Sequence, residues 1–349
     1  MADLISLSKG MRLEEILRDY FLKTGVYVVR GVPFVYEQED VTDIDLWMYS
    51  RTSSFSREIT IVDIKNKKTP QALERIFWVN GLKQAIDANK AIIATTDSRP
   101  STKLFAKKQN VMVLDGKFLS KLVRNYRDEN ERISDEELTT LIESYSLQKI
   151  DGDWKGRMKA CKSVLSKPLS FDSCNYWLIE GYFFAQLVLT RDREKFTALR
   201  CLYLIASYIA LSIDFCMREI SFLDIPERTD KLKEGFFFGD RGLLGTNEII
   251  NFSTSIVSNY LENGDVQSRL LKERINSDIS KLPVNILAEY FAKTETINHI
   301  FSHSKYLENL AMRKSEPQIP EALEVKGYLY CLLDYWQIDR QEFSAALSK

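Results

Sequence analysis

The sequence predicts a mixed α/β domain over residues 1–127 followed by an all-α domain over residues 128–349. Three observations carry this. Short β-branched and aromatic runs alternate with helical patterns only in the first third of the chain. Behind residue 135, apolar residues recur at helical spacing with almost no strand signals. Between them, residues 126–135 (YRDENERISD) are charged and without apolar periodicity, as in a linker.

In the first domain, Leu13, Ile16, Leu17, Tyr20 and Phe21 recur at helical spacing, so residues 11–24 form a helix that Gly25 stops. Val26–Val29, Pro33–Tyr36, Asp45–Met48 and Glu58–Ile64 read as extended segments. Their connections are too short for crossovers, so they pair antiparallel. Thr69 and Pro70 open a helix that runs to about residue 88. Ala91–Thr95 and Val111–Leu114 are strands separated by a helix over 101–109, and a last helix follows the Asp115–Gly116 turn. The result is a mixed sheet flanked by helices. In the second domain, Ser134 and Glu137 form a capping box. Helical segments lie near 154–165, 175–190, 195–217, 246–262, 266–281, 284–313 and 320–334, with breaks at Pro168, Pro226, Gly239–Gly245, Pro283, Pro317 and Pro320.

A chain of 349 residues is too long for one ordinary core, and 45% apolar with 28% charged residues is a globular composition. The net charge of -1 hides a split. Residues 1–127 carry 21 Lys+Arg against 15 Asp+Glu, and residues 128–349 carry 27 against 34. That asymmetry fits different partners for the two parts, while charges of this size taken alone read as ordinary solvated surface. The five cysteines are widely spaced, odd in number and without a CxxC pair, which excludes zinc ribbons and fits buried free thiols. No signal-peptide pattern opens the chain. The most apolar run, Cys201–Ile213, is short for a bilayer and reads as a buried helix. A soluble, cytoplasmic protein with no membrane partner is expected.

The informative segment is Ile59-Thr60-Ile61-Val62-Asp63-Ile64-Lys65. Strand alternation puts Ile59, Ile61, Asp63 and Lys65 on one face, so a carboxylate and an ammonium meet at the end of an apolar strand. Upstream, Asp43-Ile44-Asp45-Leu46 brings a second carboxylate onto a neighbouring strand. Asp43 and Asp45 share a face, so alternation does not separate them; Asp45 lies nearer the apolar run and is preferred. Paired carboxylates suit Mg²⁺, which lowers the pKa of a bound water, and a lysine beside them adds positive charge where a phosphoryl transition state is most negative.

This order of residues resembles the PD-(D/E)xK nuclease superfamily, the restriction-endonuclease-like fold, and most of all its Mrr-type branch. The likeness covers roughly residues 10–125. It implies that Glu14 on the first helix, Asp45, and the Asp63–Lys65 pair are the site, with Glu14, Asp45 and Asp63 holding Mg²⁺ or Mn²⁺. In this branch the next helix carries an inward glutamine, to which Gln84 corresponds, on the Phe77, Asn80, Gly81 face. Two departures stand out: no proline precedes the aspartate, and Asp63 replaces the commoner glutamate. The resemblance implies a metal-dependent endonuclease acting on DNA (RNA is left open) in bacterial defence against foreign DNA. A catalytically inactive nuclease-fold module that binds nucleic acid is the alternative.

Lys67, Lys68, Lys103, Lys107 and Lys108, with Lys117 and Lys121, are candidates to hold phosphates. The helical domain is expected to regulate, to form a homodimer or to bind a partner protein. His299 and His303 share a helix face and, with Glu295, are a weak metal candidate; a structural role is preferred. The Gly235–Gly242 segment lacks a phosphate-loop Lys–Ser/Thr and reads as a loop between helices.

Overall fold

Five strands in chain order make one mixed sheet in the computed structural model, which describes residues 8–37, 39–65, 71–127 and 131–348. Strands β1 (Tyr27–Tyr36), β2 (Glu39–Arg51) and β3 (Arg57–Lys65) pair antiparallel, and β4 (Lys90–Thr95) and β5 (Val111–Leu114) continue the sheet in parallel. Helix α1 (Lys9–Lys23) precedes the sheet, α2 (Ala72–Ala85) and α3 (Pro100–Lys108) make the crossovers, and α4 (Gly116–Asn125) follows β5. The two early runs expected on either side of Gly31 are one strand, and Asp45–Met48 lies inside a 13-residue strand. The expected Thr69–Pro70 helix start lies outside the described residues.

Alternation sorts the strand residues. Val28, Leu46, Met48, Val62, Ile64, Ile92 and Ala94 join Leu13 and Leu17 of α1 and Leu119 of α4 in one core. The opposite face carries Asp45, Trp47, Ile61 and Asp63, and α2 lies along that side of β3 and β4 through Ala72, Ile76, Val79 and Leu82. The α4 start is fixed by Asp115, whose carboxylate accepts from the Phe118 amide at 2.9 Å.

The chain divides into two compact units: Met1–Pro168 with Glu308–Pro317, and Leu169–Leu307 with Gln318–Lys349. The boundary expected at residue 127 therefore moves to Pro168. Helices α5 (Asp135–Ser144) and α6 (Trp154–Ser163) belong with the sheet. The cause is ionic. Arg30 on β1, 4% exposed, binds Glu14 and Glu15 of α1 and Asp135 and Glu136 of α5. Arg18 and Lys162 bind the same Asp135 carboxylate at 3.0 and 3.1 Å. The supposed linker is likewise tied down among its described residues. Arg132 makes a bridge with Arg313, and its guanidinium binds Glu308, while Ile133 is buried. The Ser134–Glu137 capping box is present.

The second unit is helical: α7 (Phe171–Thr190), α8 (Lys195–Ile220), α9 (Ile225–Phe238), α10 (Gly242–Tyr260), α11 (Gly264–Ser280), α12 (Val284–Phe291), α13 (Thr294–Met312, whose last turns from Glu308 fall in the first unit), α14 (Leu323–Tyr335) and α15 (Arg340–Ser348). Two of these escaped the sequence. Pro226 opens α9 in its first turn rather than breaking a helix, with Asp224 as N-cap, so Gly235–Phe238 is helical and not loop. The second, α15, is short. By length and composition α8 could cross a membrane, beyond the short run read from sequence, but 89% of its apolar window is buried inside the protein. The cysteines are free, with Cys161, Cys174, Cys201 and Cys331 buried.

Because Arg30 is the common partner of four carboxylates, Arg30→Met leaves buried negative charge without its counter-charge. We expect a loss of about 3–5 kcal/mol, read as a lower urea midpoint for the unfolding of the first unit.

Candidate active site

Three of the predicted residues meet at the carboxyl end of β3. Continuing the Leu46↔Val62 register by one residue sets Asp45 beside Asp63. The ladder stops there, and the Ile64 amide donates instead to Asp45 Oδ2 at 2.5 Å. Lys65 Nζ stands 3.8 Å from Asp45 Oδ2 and 3.5 Å from Asp63 Oδ1, so one ammonium serves both carboxylates. Gly31, with φ of 59°, stands in β1 between the Arg30↔Leu46 and Val32↔Ile44 pairs, opposite Asp45. A Cβ there would meet nothing within 4 Å, so β1 leaves the space beside Asp45 open.

The structure separates the two candidate aspartates. Asp43 is exposed and pairs across the sheet with Pro33, whereas Asp45 is the one that reaches Lys65. Glu14 acts on this group through its charge. Its carboxylate accepts from Arg30 Nη1 at 3.2 Å, and its charge bears on Asp45 as that of Lys65 bears on it.

Electrostatics mark Asp45 as strained. Burial pushes its pKa from 3.8 to about 6; the Ile64 amide and Lys65 pull it back, and the charges of Asp63 and Glu14 add to the rise. Burial also raises Glu14, against the pull of Arg30.

Arg75, in the first turns of α2, was not singled out by the sequence. Its Nε donates to Asp63 Oδ2 at 2.9 Å and its Nη2 to Asp63 Oδ1, a two-pronged grip on a carboxylate only 4% exposed. Its guanidinium also lies 3.9 Å from the centre of the Trp78 ring. The available signal was a lone arginine one turn into the helix that follows the D-x-K strand.

Gln84 is not part of the site. It is exposed, on the outer face of α2 with Phe77 and Gly81. It also lies nine residues beyond Arg75, about 13 Å along the axis at 1.5 Å per residue. There α2 approaches the start of β4, where the Asn89 amide donates to Ile59, far from the carboxyl end that bears Asp63.

The lysines disperse. Lys103 is tied to Asp115, Lys107 lines a groove with Tyr20, Phe21 and Met112, and Lys108 is exposed. Lys67 and Lys68 lie outside the described residues. Among the described residues, no group of three or more His, Cys, Asp or Glu side chains is arranged to hold a metal ion. The donors around Lys65 are all carboxylates, the chemistry that Mg²⁺ takes, but as arranged they do not form a metal centre. Arg75 occupies Asp63, and the Ile64 amide occupies Asp45 Oδ2. In the helical unit, Glu324 rather than Glu295 faces the histidines, its Oε2 3.8 Å from His299 Nδ1 and from His303 Nε2. His303 is buried, and burial lowers its pKa.

Since Asp45 has a folded pKa above its ordinary value, its ionisation opposes folding. The favourable contribution of the protonated form is complete below 3.8 and is lost as pH rises through about 6. The difference corresponds to about 3 kcal/mol at most. Asp45→Asn keeps an acceptor for the Ile64 amide and removes the charge. It should stabilise the protein by about 1–3 kcal/mol near neutral pH and hardly at all in acid below the ordinary aspartate value, in paired urea titrations.

Comparison of the chain with protein-family models, with curated proteins and with solved structures gave no match in any of the three.

Proposed function

We propose that the chain is a metal-dependent endonuclease that hydrolyses phosphodiester bonds of DNA. The observation that carries this reading is the single ammonium of Lys65 shared by Asp45 and Asp63, with the charge of Glu14 bearing on Asp45, at the carboxyl end of a strand that leads into a crossover helix. The order helix, three antiparallel strands, helix, parallel strand supports membership of the PD-(D/E)xK superfamily, and with it a role in bacterial defence against foreign DNA.

In this reading Asp45, Asp63 and Glu14 would hold Mg²⁺ or Mn²⁺, which supplies Lewis-acid charge and an activated water. Lys65 neutralises charge on the phosphoryl oxygens and orients the attacking water. A proton and the metal would compete for Asp45, so the Mg²⁺ concentration needed for half-maximal cleavage should rise as pH drops through about 6. Arg75 must release Asp63. The second reading, an inactive module that binds nucleic acid, is favoured by that same grip of Arg75 on Asp63. Cutting two strands calls for two sites, and the helical unit would supply the contact with a second copy or a partner protein.

Incubation with supercoiled plasmid and Mg²⁺ or Mn²⁺ decides between them. Asp63→Ala and Lys65→Ala should each lower cleavage by about 10²–10³-fold; cleavage that survives in both sinks the site. No cleavage in either metal leaves the inactive module. Arg75→Ala should lower the Mg²⁺ concentration needed for half-maximal cleavage, because it removes the cation that competes for Asp63.

A further inference from the structure

A cleft of about 980 Å³ opens between α1 and α4. Lys9 and Arg12 line it from α1, and Lys117, Lys121 and Arg124 line it from α4. Among the described residues, no carboxylate lines it. All five side chains are exposed, and none makes an ion pair among the described residues. That differs from Lys103, which Asp115 neutralises, and from Lys23, which Asp19 neutralises. The spacing is regular. Lys117, Lys121 and Arg124 recur at i, i+4 and i+7 and so share one face of α4, while Lys9 and Arg12 share one face of α1. Thr96, Ser98 and Ser120 add hydroxyl groups.

The cleft adjoins the candidate site. Lys65 pairs across the sheet with Thr95, and the next residue, Thr96, is part of the cleft wall. Leu13, beside Glu14, is another part of it. Both features thus lie at the carboxyl ends of parallel strands, where ligands of open α/β sheets bind.

We infer that the α1–α4 cleft holds the phosphate backbone of a nucleic-acid strand leading to Asp63 and Lys65. Five exposed cations, without an ion pair among the described residues, attract a polyanion in a concave surface and hold it through counterion release. The α4 row spans about 10 Å at 1.5 Å per residue, the rise of about three phosphates along one strand of a duplex at 3.4 Å each. Such contacts position a strand without reading its sequence. This inference rests on the endonuclease reading for the direction of the strand, and it replaces Lys103, Lys107 and Lys108 as the principal phosphate contacts.

The test is binding, separate from cleavage. A fluorescein-labelled DNA duplex is titrated with the full chain in metal-free buffer at several salt concentrations. The proteins are the parent, Lys117→Gln with Arg124→Gln, Lys9→Gln with Arg12→Gln, and Lys107→Gln with Lys108→Gln. Each cleft pair should weaken binding at least tenfold and lower the slope of log affinity against log salt by about 2, as about 0.9 per lost phosphate contact requires. The Lys107, Lys108 pair should change neither. Equal losses in all three pairs, no loss in the cleft pairs, or no binding by the parent each overturn the cleft. Cleft-dependent binding without cleavage in any metal supports the cleft and sinks the nuclease. Cleavage with binding indifferent to the cleft does the reverse.

Discussion

The Arg30 guanidinium, placed by β1 among Glu14, Glu15, Asp135 and Glu136, constrains most of the first unit. A buried arginine needs counter-charge, and its partners come from two helices far apart in sequence. Holding them fixes α1 over the sheet and draws α5 against it. Burial alone would raise the Asp135 carboxyl; the charges of Lys162, Arg18 and Arg30 overcome this and hold it well below the usual range. The same arginine also holds Glu14, whose charge bears on Asp45. One strand arginine therefore ties α1 and α5 to the sheet and holds a carboxylate whose field reaches the site.

Charge counting around that arginine bears on the metal question. Arg18, Arg30 and Lys162 face four carboxylates, which leaves one negative charge uncompensated. At the site, Asp45 and Asp63 are balanced by Lys65 and Arg75. A divalent cation in place of Arg75 would add one positive charge, which the neighbouring excess offsets. The raised pKa values of Asp45 and Glu14 come first from burial of the two carboxylates, which disfavours their charged forms. Keeping them ionised costs stability.

The sheet was legible because its signals are local. Apolar alternation, short connections and the Asp115–Gly116 turn each act within a few residues, and they gave the succession of elements, the pairing sense and the facing of Asp63 and Lys65. Alternation also put Asp43 and Asp45 on one face, and only the register against β3 separated them. The domain boundary was not legible, because what moves it is a set of ion pairs spanning 105 to 176 residues of sequence, Arg30 with Asp135 and Arg132 with Glu308. No composition window sees such pairs, and a stretch bound by its charges looks like a solvated linker. Gln84 failed for a related reason: helical periodicity gives a face but not the end of the sheet that the face meets. Arg75, one turn into α2, is at the right end.

The charge split read from the sequence survives the move of the boundary. The first unit, Met1–Pro168 with Glu308–Pro317, holds 30 Lys+Arg against 26 Asp+Glu, leaving 18 against 23 for the second. The structure refines what that small excess means. Many cations of the first unit are paired with carboxylates, as at Arg18, Arg30, Arg75, Lys103 and Lys162, and contribute little field at the surface. What attracts a polyanion is the fraction left unpaired and gathered in one concavity. Among the described residues, five such cations line the α1–α4 cleft with no acid beside them. A net charge near zero is therefore compatible with strong local attraction for phosphate, because pairing and placement, not the total, set the potential there.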